Sequence, residues 1–281
     1  MFVCVDESWN AAALQQLDQR LEEYYNGQVS VQYYDAAQTA NEEWGPNSSN
    51  QVLLNLLKEG DAIIDLGCGT GVVAEHAQQR KIKYTGIDWS STAIDVAKSK
   101  SSTSTVDSID AKFIRGSIYD TGLKSQSFDV VTSMFVIEHL TRPEKFIEEA
   151  MRLVRKGGIL FILCPDYRRF GRMPSLPLGG NNSLKEKILR GQIMPIITHF
   201  IMAMYWKVKT KFIGPWAVWT EPACFHGVWR PDADAVYLAS RTEIIKKITQ
   251  AGFSDSTSFW LAQSKAKPAK IDCLIVATRN C

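Results

Sequence analysis

The chain has 281 residues, 45% hydrophobic and 10% aromatic, enough to bury a large core as one enlarged domain or as a domain with an insert. Its 32 Lys and Arg nearly cancel 30 Asp and Glu, and a formal charge of +2 creates no field for a polyanion, which excludes nucleic acid as a main partner. Six cysteines without a CxxC pair suit reduced thiols in the cytoplasm and supply no zinc site, and MFVCVDESWN has no signal-peptide pattern, nor does any run of about 18 apolar residues offer a membrane span.

Residues 8–25 carry Leu14, Leu17, Leu21 and Tyr24 at three- and four-residue steps and end at Asn26-Gly27, which predicts an amphipathic cap helix. The stretch VQYYDAAQTANEEW, 31–44, closes at Gly45-Pro46, a turn before a helix that carries Val52 to Leu57. Ala62 to Leu66 is apolar and β-branched at Ile63 and Ile64, the pattern of a strand buried on both faces. Gly67, Gly69 and Gly71 then make a loop with little side-chain bulk, and a helix starts at Val72. Strand, glycine loop and helix in that order place a ligand at the carboxyl edge of a parallel sheet, where Gly67, Cys68 and Gly69 offer it main-chain contacts. A dinucleotide is the obvious rival. Its fingerprint requires glycine at the sixth loop position, here Val72, and a buried Asp65 repels a pyrophosphate but stabilises an ammonium or sulfonium. The expected cofactor is therefore cationic. A second strand, 83–90, ends in Asp88, about 20 residues past the loop, where a carboxylate accepts both ribose hydroxyls; this spacing suits NAD equally well. Trp89, directly after it, is expected against the adenine.

The motif IIDLGCGTG, 63–71, resembles the first motif of the class I S-adenosylmethionine (SAM) methyltransferases, and matching pieces follow in order, closely over residues 50–165 and in outline over 238–278. A helix over 91–100, a loop over 101–108 and a third strand over 111–120 come next. At that strand's exit the family often has Gly-Asp-Ala facing the adenine amino group; here Gly116-Ser117-Ile118 stands there, so the resemblance implies a hydroxyl contact at best. SFDVVTSMFVIEHL, 127–140, is the second strong match: a buried strand over Phe128 to Thr132, then Met134 where the similar ubiquinone-type O-methyltransferases contact SAM, and Glu138-His139, which matches their frequent Glu-His pair. By the same resemblance the YYD stretch forms a lid, with Tyr33 or Tyr34 touching SAM or the acceptor. A helix over 142–158, opened by proline and closed by glycines, and the strand ILFILCPDY complete six alternating elements. SRTE, 240–243, reads as a capping box for a helix running to Ala251-Gly252, and strands near 256–262 and 271–278 match the family's closing hairpin.

The expected fold is α/β, a Rossmann-like doubly wound sheet, mostly parallel with one antiparallel strand, plus a helical insert. It divides into a helical cap or lid (1–50), a SAM-binding core (51–167), an insert (168–237) and the C-terminal part of the core (238–281). The insert is rich in Met, Trp, Phe and basic residues, and related enzymes carry the acceptor-binding cover there. Residues 184–212 are expected to close over the acceptor or, alternatively, to lie on a membrane surface, since lysines flank their apolar centre. Of the four histidines, His139 at the cleft and His226 in the loop TEPACFHGVWRPD are the candidates for a general base, while an amine acceptor needs neither. No metal is expected. These readings converge on methyl transfer from SAM to an oxygen or nitrogen of a small, hydrophobic, aromatic metabolite of natural-product type, in the cytoplasm. The alternatives are an NAD(P)-dependent oxidoreductase and a membrane-associated methyltransferase of a lipid or quinone precursor.

Overall fold

The computed structural model describes residues 2–3, 11–27, 48–77, 80–103, 110–167, 189–191, 216–226, 233–264 and 272–281, with single positions between 194 and 208. The strands in chain order are β1 (Phe2–Val3), β2 (Ala62–Leu66), β3 (Lys83–Asp88), β4 (Asp110–Arg115), β5 (Phe128–Met134), β6 (Val154–Pro165), β7 (Val218–Trp219), β8 (Phe253–Asp255) and β9 (Asp272–Arg279). Seven of them form one sheet in the spatial order β4-β3-β2-β5-β6-β9-β8, and β1 pairs with β7 apart from it. Strands β2 to β6 run parallel, β9 is antiparallel to both neighbours, and β8 therefore points with the parallel set. The doubly wound sheet with one antiparallel strand is as the sequence implies.

The helices are α1 (Ala11–Asn26), α2 (Ser49–Leu56), α3 (Val72–Ala77), α4 (Ser91–Thr103), α5 (Pro143–Leu153), α6 (Arg241–Gln250) and α7 (Thr257–Ser264). Alternation along each buried strand sends side chains to both faces. Ile64 and Leu66 join Leu14, Leu17 and Leu21 of α1 and Phe146 of α5 in one core, while Ile63 joins Val52, Leu53 and Leu56 of α2 in the other. The sheet is thus covered on both sides. The cap helix buries Tyr25 rather than the expected Tyr24, because residue 25 is four positions beyond Leu21 and continues the same stripe.

Four local expectations are corrected. Helix α5 stops at Leu153, and Arg155 to Gly158 open β6. Its last carbonyls are taken from far away: Arg279 of β9 donates Nη1 to the carbonyls of Met151 (3.0 Å) and Val154 (2.7 Å). Gly158 serves the sheet, since a Cβ there meets the carbonyls of Asp129 and Arg155 at 2.9 Å. The stretch near 256–262 is helix α7, not strand. Asp255 caps it, Oδ1 accepting from the Thr257 amide (3.1 Å) and hydroxyl (2.6 Å), and the apolar run splits, with Trp260 and Leu261 against the core and Phe259 outside. Helix α6 does start after Ser240, but the Ser240 side chain makes no cap bond, and Glu243 accepts instead from the Tyr237 hydroxyl (2.8 Å) and the Trp216 amide (3.4 Å). Helix α4 runs on to Thr103, into the expected loop.

Glu149 ties the β4–β5 connection to helix α5: Oε1 accepts from the amide (2.8 Å) and hydroxyl (2.6 Å) of Thr121, and Oε2 from Nε of Arg152 (2.6 Å). Burial pushes its pKa up, but these donors outweigh burial and lower it from 4.5 to about 2. A lowered carboxylate contributes stability that is present above the ordinary value and lost as pH falls through the folded one. Acid unfolding followed by circular dichroism is expected to take a step between pH 4.5 and about 2 that Glu149→Gln flattens.

Candidate active site

The sheet reverses its winding between β2 and β5, and the crevice outside their carboxyl ends is the site. Ser133 of β5 donates its hydroxyl to the Leu66 carbonyl (2.9 Å), clamping the two strands where they end. Gly67 then turns at φ +80°, and a Cβ on it meets Cγ2 of Val136 at 2.5 Å, so the loops after β2 and β5 touch only because residue 67 has no side chain. The amides of Gly67 and Cys68 both donate to the Ile87 carbonyl (2.8 and 3.0 Å), and the Cys68 thiol occupies space left by Gly86. Around Gly69 the cavity side is open: nothing lies within 4 Å of where its Cβ would be.

Asp88 closes β3 as expected, and the loop explains its position. Oδ2 accepts from the Gly69 amide and Oδ1 from the Ser90 amide, both at 2.9 Å. Each oxygen keeps a lone pair for a ribose hydroxyl. Trp89 faces the cavity, its ring 5.7 Å from Tyr25 of α1. Asp65 is buried with its Oδ2 on the Tyr84 hydroxyl (2.8 Å). Burial raises its pKa to about 7; the Tyr84 hydrogen bond opposes that shift and the Asp88 charge adds to it. Burial likewise raises the pKa of Asp88.

These groups line one cavity of about 720 Å³, the size of a small-molecule site. Gly67, Cys68, Gly69, Asp65, Asp88, Trp89, Ser117, Ile118, Met134 and His139 all line it. Ser117 spends its hydroxyl on the Tyr119 amide (3.1 Å). Tyr33 lies outside the described residues. His226 is on an exposed turn 3.7 Å from Glu221 and does not line the cavity. No described residue of 168–237 lines it either, so the expected acceptor cover is not formed by the described part of the insert.

The wall opposite the glycine loop was not readable from sequence. His139 sits on a 3₁₀ turn after β5 with Nδ1 3.3 Å from Oδ2 of Asp234, and Nε2 3.7 Å from Oε1 of Glu138, beyond hydrogen-bond length. Asp234 is buried and accepts from the Tyr25 hydroxyl. Its segment is docked by the amides of Val236 and Tyr237, which both donate to the Glu138 carbonyl (2.8 and 2.9 Å). Asp18 of α1 accepts from Thr141 and pairs with Arg142 (2.9 Å), adding a polar rim. Phe135 holds the left-handed region at φ 55°, unusual for a bulky residue, and turns the chain from β5 into this wall. The available signal was the Glu-His pair itself; its partners come from the two ends of the chain.

The residues fit an adenosyl ligand with a cationic end: a carboxylate for the ribose, an aromatic face, an open glycine and a buried acid at the strand end. They do not fit a pyrophosphate, which would meet the buried Asp65 at the end of β2. The fold and crevice thus define a nucleoside-cofactor protein whose cofactor carries positive charge. Comparison with known proteins agrees. Residues 64–162 match the family described as "Methyltransferase domain". The mitochondrial ubiquinone biosynthesis O-methyltransferase of Schizosaccharomyces pombe is 33% identical over 140 residues, 50% of this chain and 48% of that one. The ubiquinone biosynthesis O-methyltransferase of Nitrosomonas europaea is 33% identical over 138 residues, 44% of this chain and 58% of that one. The chain spans about half the length of these relatives. In fold it is similar to the YcgJ protein of Bacillus subtilis, with a TM-score of 0.50 and 13% identity over 83% of this chain and 98% of that one. Residues 64–162 are thus similar to a methyltransferase domain, and the methyl donor that this match and the site support is S-adenosylmethionine.

A cation beside Asp65 favours its ionised form, so binding releases a proton. SAM affinity measured by calorimetry is expected to fall about tenfold between pH 8 and pH 6, and Asp65→Asn to remove that dependence. The same shift makes the ionised Asp65 a stability cost that grows from about pH 4 to 7 and is relieved by acid. Asp88→Ala is expected to weaken SAM by tenfold or more, about 1.4 kcal/mol; an unchanged Kd removes it from the ribose site.

Proposed function

We propose that this chain transfers the methyl group of SAM to a hydroxyl oxygen of a small, hydrophobic, aromatic acceptor, with His139 receiving the hydroxyl proton. The observation that carries the reading is the imidazole of His139 on the cavity wall with a buried carboxylate, Asp234, behind it at 3.3 Å. A carboxylate at Nδ1 favours the tautomer with its proton there and leaves the Nε2 lone pair as acceptor. Methylating an amine requires no such base, which is why oxygen is preferred to nitrogen.

When bound, the donor supplies a methyl carbon on a sulfonium whose charge is lost as the bond breaks. The protein's part is placement and exclusion of water. Asp88 and the glycine loop hold the nucleoside end, while Asp65 orients the cationic end. Trp89, Phe135 and Tyr119 line the cavity with apolar area suited to both an aromatic acceptor and a cationic donor. Alignment of reactants in this way supplies on the order of 7–11 kcal/mol in favourable cases.

For the acceptor we favour a quinone-precursor phenol over a natural product made in the cytoplasm. Both relatives above are named for ubiquinone biosynthesis, and the insert presents apolar side chains outward. A panel of hydroxybenzenes of rising chain length separates the two.

His139→Gln is expected to lower kcat by about 10²–10⁴ while leaving SAM affinity unchanged. Asp234→Asn is expected to lower kcat less and to shift the rising limb of the pH–rate profile, where imidazole loses its proton. Full turnover of a hydroxyl acceptor by His139→Gln would remove the base.

A further inference from the structure

Residues 191–206, GQIMPIITHFIMAMYW, contain no Asp, Glu, Lys or Arg. Lys185, Lys187 and Arg190 precede this run and Lys207, Lys209 and Lys211 follow it, with Glu186 the one acid between 185 and 211. The described positions of 194–208 are helical, and every one is exposed. Met194, Ile197, Ile201, Met204 and Val208 recur at steps of three and four, so they share one helix face, and that face is in water: Met194 is 69% exposed and Ile201 60%. Leu189, 76% exposed, precedes them. An apolar stripe of this length left outside a well-filled core requires a partner.

The charge pattern selects it. The run of 185–211 carries six cations against one anion. A second copy laid face to face would bring six more cations to the same seam, whereas an anionic lipid surface complements them. The uncharged run is too short to cross: sixteen residues would reach about 24 Å even as a continuous helix, against a hydrocarbon thickness of about 30 Å. No helix among the described residues is long and apolar enough to span. An amphipathic segment with basic borders lies in the interface instead.

We propose that the 189–208 segment seats this protein on the surface of an anionic bilayer, with Met194, Ile197, Ile201, Met204 and Val208 entering the headgroup boundary and the bordering basic residues meeting lipid phosphates. The docking is independent of methyl transfer and is read without turnover.

Sedimentation with vesicles of phosphatidylcholine, pure or mixed with phosphatidylglycerol, tests it. The protein is expected to pellet with the mixed vesicles, and far less with pure phosphatidylcholine or in high salt. Ile201→Glu combined with Met204→Glu is expected to reduce the bound fraction about tenfold or more, with SAM affinity unchanged as the control for folding. Lys207→Gln, Lys209→Gln and Lys211→Gln together are expected to weaken binding and flatten its salt dependence. Wild-type protein that stays in the supernatant with mixed vesicles overturns the proposal, as does a double-glutamate variant that pellets like wild type. A concentration-dependent dimer in the ultracentrifuge, abolished by the double-glutamate change and accompanied by no vesicle binding, assigns the face to a second copy instead.

Discussion

At residue 67 there is room for a hydrogen atom and no more. Val136 would lie 2.5 Å from a Cβ there, and this contact lets the ends of β2 and β5 come together. The Ser133 hydroxyl on Leu66 and the Gly67 and Cys68 amides on Ile87 hold the three strand ends in one plane below the cavity. Everything that faces a ligand is measured from that floor. Asp88 is fixed by the loop's own amide at Gly69, and the turn bearing His139 begins one residue after Val136. A larger residue at 67 would therefore displace the cofactor side and the proton-accepting side at once.

The cavity is crowded with acids. Asp65 and Asp88 stand on the floor, Glu138 and Asp234 behind the far wall, and Asp18 and Glu22 on the cap helix. The last two face arginines at the rim, Arg142 at 2.9 Å from Asp18 and Arg115 at 3.7 Å from Glu22. Burial raises the proton affinity of both Asp65 and Asp88, and the Asp88 charge raises that of Asp65 further, an environment that a cation relieves. The chain's overall charge says nothing of this, because +2 averages over a surface where cations and anions balance. What selects the donor is the local excess.

The parts that could be read from sequence are those whose causes are local. Ile63 to Gly71 declare a buried strand and a bare loop by composition, and Asp88 follows from spacing along the same βα unit. The errors arise where a distant residue intervenes. The close of α5 is decided by Arg279, more than a hundred residues on. Glu243 has the spacing of a capping box, yet Tyr237 and Trp216 claim it. Trp260 and Leu261 are as apolar as a strand, but Asp255 sets a helix start just before them. Tyr25 and Asp234, which shape the wall around His139, are 209 positions apart. The insert illustrates a different limit: its composition is apolar, but composition gives no sign of which way an apolar side chain faces, and the described positions between 194 and 208 face outward.

The turn at Phe135 has an implication for anyone redesigning the protein. A left-handed conformation at a phenylalanine stores roughly 1–3 kcal/mol that glycine would release. Glycine would also strip a ring from the cavity wall and loosen the chain between β5 and His139. Screens that reward heat tolerance alone would therefore favour the substitution and discard activity unnoticed. The strain is the toll for aiming that wall inward.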